Sequence, residues 1–183
     1  MDFHLQEHMN QLYEQTEHLF KFHAEEYEDA LEWQGDFHRA LTYCLKISGR
    51  KLAGEVTAEK LSEIDKGSYV EEKYALMVDG VPAPMYVLVP KGKPPYIPVM
   101  AFHGHGIGVH TILGTYPEHS GNDNNFAQQL AEDGYIVCAI EQRGFGERVT
   151  DQLRPPSDIE SCRHMAFSYH LHDHTLVCER GRA

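Results

Sequence analysis

Residues 102–108 (FHGHGIG) are the part of this sequence whose residue types and spacing best suit chemistry. They directly follow a run of apolar residues that predicts a buried strand. Acyl transfer develops a negative charge on a carbonyl oxygen, and fixed N–H donors aimed at that oxygen stabilise the charge. Glycine allows the backbone to turn its amides toward a cleft and lets a substrate come close. The pattern therefore indicates half of an oxyanion hole, and the alternative is a simple turn that ends a strand.

The strands that must position this loop begin with a predicted hairpin. Residues 69–78 and 83–89 are strand-like runs, and Asp79 and Gly80 between them are a turn signal. The preceding residues, 50–68, are polar, and we interpret them as a linker with a short helix over residues 58–64.

A strand–helix–strand unit carries the glycine loop itself. Residues 96–102 (YIPVMAF) are nearly all apolar, which is typical of strands buried on both faces. A helix over residues 122–133 follows, Gly134 stops it, and residues 135–140 form the next strand. We therefore expect an α/β fold with a mixed, mostly parallel sheet, parallel in its centre and antiparallel at a hairpin toward one edge.

Helices are predicted before this sheet. Residues 1–47 carry apolar side chains at helical spacing, with an interruption at Gly35. We expect two domains, an N-terminal helical arm and linker over residues 1–68 and a sheet-bearing domain over residues 69–183.

A helix is also predicted after the sheet. Residues 141–156 form a loop rich in Gly, Arg and Pro. Ser157 and Glu160 then have the spacing of a capping box, which predicts a helix over residues 158–178.

Residues 141–148 (EQRGFGER) resemble the D-x-R-G-x-G-x-S segment that follows the fourth strand in many α/β-hydrolases. Glu141 stands in place of the usual Asp, and Arg148 in place of the usual Ser. The glycine loop also lies where that family has its own, between the third strand and the first helix of the sheet. Residues 69–180 thus resemble the N-terminal portion of an α/β-hydrolase, and the helical arm resembles the acetyl-xylan-esterase and dienelactone-hydrolase-like branch.

The resemblance implies an esterase site and assigns parts of it. The backbone N–H of His105 matches the family's oxyanion donor, and Gly104 and Gly106 shape its turn. The residues that match the support of the loop are His103, Arg143, Gly144 and Gly146. The resemblance further implies a small-molecule ester as substrate of the full-length protein, a Ser-Asp-His triad, no cofactor and no metal.

None of the triad is found in this sequence. The family's nucleophile lies on a G-x-S-x-G turn after the fifth strand, and neither that motif nor G-x-[SC]-x-G occurs. Ser120 lies in a polar loop, and Ser161 lies three residues from His164 with no orienting acid, so neither is a good nucleophile. We expect an inactive N-terminal fragment, truncated before the nucleophile-bearing strand. Its 96–102 strand would stand at a sheet edge, and its fold would be marginal, partly disordered or oligomeric.

Thirteen histidines raise the question of a metal site. His170, His172 and His174 alternate, but a spacing of two on a helix points side chains apart. His170 and His174 keep the i,i+4 spacing that could chelate zinc or nickel. A solvated helix face is the simpler interpretation, and we predict no metal.

Composition and charge exclude several classes of partner. The net charge of −12 argues against nucleic acid and anionic membranes, which need a basic surface. The N-terminus lacks a signal-peptide pattern, and no apolar run has the length of a membrane helix. We expect a cytoplasmic protein and a possible homo-oligomer. The alternative to an esterase is a non-catalytic binding or interaction module derived from the hydrolase fold, with its acidic helical arm docking a partner.

Overall fold

The computed structural model describes residues 5–47, 55–78, 80–115, 125–149 and 158–180. The chain divides into two compact units, Met1–Ser48 and Gly49–Ala183. Their elements in chain order are α1 (Gln6–Gln15), α2 (Tyr27–Cys44), β1 (Thr57–Asp65), β2 (Tyr69–Val78), β3 (Val81–Pro90), β4 (Pro98–Ala101), α3 (His110–Leu113), α4 (Phe126–Glu132), β5 (Ile136–Ile140), a 3-10 turn (Gly146–Arg148), α5 (Asp158–Leu171) and α6 (Leu176–Arg180).

The first unit is helical, as the sequence predicts. Gly35 does not interrupt α2, so that detail of the prediction is wrong; a single helical glycine costs only about 1 kcal/mol relative to alanine. The Trp33 ring stacks on Phe37 with centroids 5.1 Å apart, and Phe22 meets it edge-on at 5.0 Å. The Trp33 indole N–H also donates to the Phe20 carbonyl at 3.0 Å, which fastens the loop before α2 to that helix.

The second unit contains a five-stranded sheet with the strand order β1-β2-β3-β5-β4. The expected α/β fold with a mixed sheet is confirmed, and the order β2-β3-β5-β4 is the 1-2-4-3 order of the α/β-hydrolases. The parallel part is smaller than expected, because β4–β5 is the one parallel pair among the described strands and lies at an edge. The pairs β1–β2, β2–β3 and β3–β5 are antiparallel.

The predicted hairpin is confirmed, since β2 and β3 pair in register from Tyr69 opposite Pro90. The short helix predicted over residues 58–64 is wrong, because these residues belong to β1 and pair with β2. Every side chain of β1 is exposed, so its sequence lacks the apolar alternation that reveals a strand. The boundary between domains at residues 68 and 69 stays a prediction.

The apolar run before the glycine loop forms the short strand β4. Burial on both faces is wrong for this run, because Ile97, Met100 and Phe102 are 56–65 % exposed while Ala101 is buried. The reason is its place at the edge of the described sheet, where β5 is its one strand neighbour. The core lies on the sheet under α3 and α4 and contains Leu88, Val109, Ile112, Leu113 and Val137, among others.

The strand–helix–strand unit is confirmed as β4, α4 and β5, and α3 is an additional short helix within it. The single helix predicted over residues 158–178 is wrong, because a short non-helical segment separates α5 from α6. Asp173 has a φ of +60° in that break, which a continuous helix does not allow. No helix in the described ranges is long and apolar enough to cross a membrane.

Some predicted features lie outside the described residues. They are Asp79 of the hairpin turn, Ser120, residues 122–124 at the start of the predicted helix, and Ser157 of the capping box. Ser161 lies in α5, but its side chain is also outside the described part.

Candidate functional site

The glycine loop leaves the C-terminal end of β4 and leads into α3. No hydrogen bond from the backbone N–H of His105 to a strand or helix occurs within the described part of the chain. The His105 side chain is exposed, and its Nε2 lies 2.9 Å from Sγ of Cys162 on α5. This contact was not foreseen, because residues 57 positions apart give no sequence signal of proximity.

A fully buried carboxylate holds the glycine loop through contacts on its interior side. Glu141 is the first residue after β5, and its side chain is 0 % exposed. Its Oε1 accepts the backbone N–H of Val109 at 3.0 Å and lies 2.9 Å from Nε2 of His103, which is equally buried. One side chain thus connects the segment after β5 with both ends of the glycine loop.

His103 is engaged at both ring nitrogens. Its Nδ1 donates at 2.8 Å to the Gly104 carbonyl, which can only accept, and its Nε2 lies 3.1 Å from the backbone N of Gln142 and 2.9 Å from Oε1 of Glu141. The Gln142 side-chain amide donates in turn to the His103 carbonyl at 2.8 Å. His103 therefore acts as a fastening between the two loops rather than as an available base.

Two glycines leave the space that the Glu141 carboxylate fills. A Cβ atom on Gly108 or on Gly146 would overlap the carboxylate oxygens of Glu141. Both residues also have positive φ, +94° and +46°, which side chains rarely adopt. The two glycine-rich motifs of the sequence are therefore complementary parts of one packed arrangement. Gly104 and Gly106 lie in the same loop, between His103 and Gly108.

The remaining residues of the second motif contact the C-terminal helices. Arg143 Nη1 donates to Oε2 of Glu179 on α6 at 2.9 Å, and Glu179 Oε1 lies 2.6 Å from Nδ1 of His174. A Cβ on Gly144 would come within 2.7 Å of Met165 on α5, so this glycine permits the close approach of that helix. Glu179 was missed from sequence, because it lies far along the chain in a region without a motif.

His174 thus binds a carboxylate and lies beyond the break that separates it from His170 on α5. No group of three or more His, Cys, Asp or Glu side chains placed to hold a metal ion occurs in the described ranges.

A second polar cluster joins the sheet to the segment after β5. Lys73 Nζ lies 2.6 Å from Oε2 of Glu147, and the buried Tyr86 hydroxyl donates to Glu147 Oε1 at 2.8 Å. Burial alone would raise the pKa of Glu147, but the hydrogen bonds from Lys73 and Tyr86 outweigh it and hold that pKa below its usual range. Burial and the hydrogen bond to Glu147 raise the pKa of Tyr86 far above its usual range.

We expect Lys73→Met to lower stability in a pH-dependent way. Because the pKa of Glu147 is depressed in the folded state, its contribution is present above the unfolded value near 4.5 and is lost as pH falls below it. The difference in unfolding free energy between wild type and Lys73→Met should shrink from pH 6 toward pH 3 in urea titrations followed by circular dichroism. Lys93→Met, which alters an exposed lysine outside any described ion pair, is the control. A difference that stays constant with pH would contradict the prediction.

The strand order and the glycine loop after β4 match the layout of an α/β-hydrolase domain. The sequence pattern of the Abhydrolase family matches residues 5–174, so this chain belongs to that family. No curated protein matches the chain.

Two solved structures show how far the likeness extends. A candidate acetyl xylan esterase from Bacteroides fragilis NCTC 9343 superimposes with a TM-score of 0.75 at 13 % identity, over 100 % of this chain and 48 % of the other. At that identity the likeness shows the fold alone. A cold-adapted esterase from an Arctic intertidal metagenomic library has a TM-score of 0.39 at 21 % identity, over 63 % of this chain and 42 % of its own, which is too low to support an argument. The chain thus spans about half the length of the solved structures that it matches.

Proposed function

We propose that this chain is the N-terminal portion of a carboxylic-ester hydrolase and supplies half of its oxyanion hole. The observation that supports this most directly is that the backbone N–H of His105 is not used in strand or helix pairing among the described residues. This N–H lies in a glycine-bearing loop after a sheet strand. An amide held in this way can bind the oxygen on which acyl transfer places negative charge.

The buried contacts behind the loop support the same proposal. An oxyanion donor is effective when it is preorganised, because no energy is then spent on reorientation during the reaction. The Glu141 carboxylate and the His103 ring hold the loop from the protein interior through hydrogen bonds of 2.8–3.1 Å. Gly104 and Gly106 flank the proposed donor, and Arg143, Gly144 and Gly146 belong to the segment that supports it.

The nucleophile, acid and base of the proposed enzyme would lie after residue 183. We propose a Ser-Asp-His triad there, a small-molecule ester as substrate, no cofactor and a cytoplasmic location. The 183-residue chain is then inactive by itself. Three observations support placing the triad after residue 183. The chain belongs to the Abhydrolase family, its fold is similar to that of a candidate acetyl xylan esterase, and its 183 residues contain no G-x-S-x-G motif.

The proposal predicts how two substitutions of one residue differ. In a polypeptide extended beyond residue 183 by its own reading frame, His105→Pro should lower kcat for p-nitrophenyl acetate by about a hundredfold, because proline has no N–H. His105→Ala keeps the amide and should retain most of the activity.

The 183-residue chain tested alone should release p-nitrophenol no faster than buffer. Turnover by this chain, equal loss of kcat in both His105 variants, or an extension without a G-x-S-x-G motif would each contradict the proposal.

A further inference from the structure

The second unit contains a cavity of about 470 Å³ that the proposed oxyanion loop does not line. Strands β1, β2 and β3, the segment after β5, and α5 all contribute to its walls. Most of its lining is apolar, and it includes Leu61, Ala75, Val81, Met165 and Tyr169. This volume and character are typical of sites for small molecules.

Three cationic side chains also line the cavity, and two of them are paired. Lys73 pairs with Glu147 at 2.6 Å, and Arg143 pairs with Glu179 at 2.9 Å. Arg148 differs, because no carboxylate in the described part of the chain lies within ion-pair distance of its guanidinium. Among the cationic side chains that line the cavity, Arg148 is therefore the one without a carboxylate partner in the described part of the chain.

The Arg148 guanidinium is held in place but not satisfied. Its Nη1 donates to the Glu141 carbonyl at 2.9 Å, whereas Nη2 is buried and has no hydrogen-bond partner among the residues that the structure describes. Burial lowers the pKa of Arg148, and the positive charge of nearby Arg143 lowers it further. The opposing influences of Tyr169 and Glu141 on this pKa are each weaker. An anion bound at Nη2 would offset both the desolvation of the guanidinium and its repulsion by Arg143.

We propose that this cavity binds a small organic monocarboxylate with an apolar body, the carboxylate on Arg148 and the body against the apolar walls. A guanidinium provides parallel N–H donors that match a carboxylate. An inorganic anion would satisfy Arg148 but leave the apolar walls in contact with water. None of the proposed oxyanion residues Gly104, His105 and Gly106 lines this cavity, whereas Arg143 and Gly144 of the supporting segment do.

The probes are 4-phenylbutyrate and its neutral amide, 4-phenylbutyramide, titrated into the 183-residue chain by isothermal calorimetry. We expect saturable 1:1 binding of the carboxylate and affinity for the amide at least about tenfold lower, because the amide cannot form the charge-assisted hydrogen bonds. Equal affinities, or no saturable binding of the carboxylate, would overturn the proposal. Binding of inorganic phosphate as tight as that of 4-phenylbutyrate would overturn the assigned ligand class.

Variants locate the binding in the cavity. Arg148→Gln should weaken 4-phenylbutyrate binding by at least about tenfold, whereas Lys93→Gln, which removes the same charge from an exposed position, should leave it unchanged. Ala75→Leu fills part of the cavity, keeps Arg148 and should also weaken binding. If Arg148→Gln does not fold, the Ala75→Leu result decides whether 4-phenylbutyrate binds in this cavity. Unchanged affinity in Ala75→Leu, or equal loss in Lys93→Gln, would exclude this cavity as the site.

Discussion

Replacing Glu141 by alanine should lower the free energy of unfolding by about 3–5 kcal/mol, the range seen when one partner of a buried charged or hydrogen-bonded pair is removed. The side chain is fully buried, so its removal leaves a void as well as an unpaired Val109 N–H. His103 loses its carboxylate neighbour in the same step. Because small domains are stable by only about 5–15 kcal/mol, the variant should be close to unfolding at room temperature.

The matched control is Glu132→Ala, which removes the same charge from the exposed surface of α4. It should change stability by less than about 0.5 kcal/mol, as is usual for surface substitutions. Urea unfolding followed by far-ultraviolet circular dichroism measures both variants. A Glu141→Ala protein as stable as the control would mean that the carboxylate does not hold the loop.

Replacing Gly108 by alanine should cost about 2–5 kcal/mol. Two effects add: a left-handed backbone costs a side chain roughly 1–2 kcal/mol, and overlap with the Glu141 carboxylate costs about 1–3 kcal/mol more. The overlap cannot be relieved by rotation of an exposed side chain, because Glu141 is enclosed on all sides. The expected result is a loss of stability accompanied by a displaced glycine loop.

Gly134→Ala separates these two effects. Gly134 has a φ of +97°, nearly that of Gly108 at +94°, but a Cβ there would meet nothing within 4 Å. It should therefore show the backbone cost alone, about 1–2 kcal/mol. Equal losses of stability in Gly108→Ala and Gly134→Ala would indicate that the packing against Glu141 is not tight.

The sequence predicts those parts of the fold that local patterns determine. The hairpin of β2 and β3 follows from two apolar runs and a turn signal. The unit β4–α4–β5 follows from the spacing of apolar residues, which changes from a strand pattern to a helix pattern and back. The glycine-rich motifs after β4 and β5 were also recognisable. Their proximity could be expected, because adjacent parallel strands end at the same edge of a sheet.

The predictions from sequence were wrong or incomplete where tertiary contacts determine the local structure. β1 is held by backbone pairing with β2 and has no buried face, so its residues resemble a linker. Glu179, which follows the interruption between α5 and α6, binds both Arg143 and His174, and no local sequence pattern reveals these contacts. The burial of Glu141 was equally hidden, because an acidic residue is usually exposed. The oxyanion role of His105 stays a proposal that the His105→Pro experiment tests.

The position of Trp33 determines which optical signals can follow the folding of each part of this chain. It is the one tryptophan of the sequence, and it lies in the helical unit with Phe37 stacked on its ring. Indole emission will therefore respond when that unit melts and will carry no direct record of the five strands. Comparing emission with backbone ellipticity during one denaturation would thus reveal whether the helices and the strands lose their structure together or one after the other.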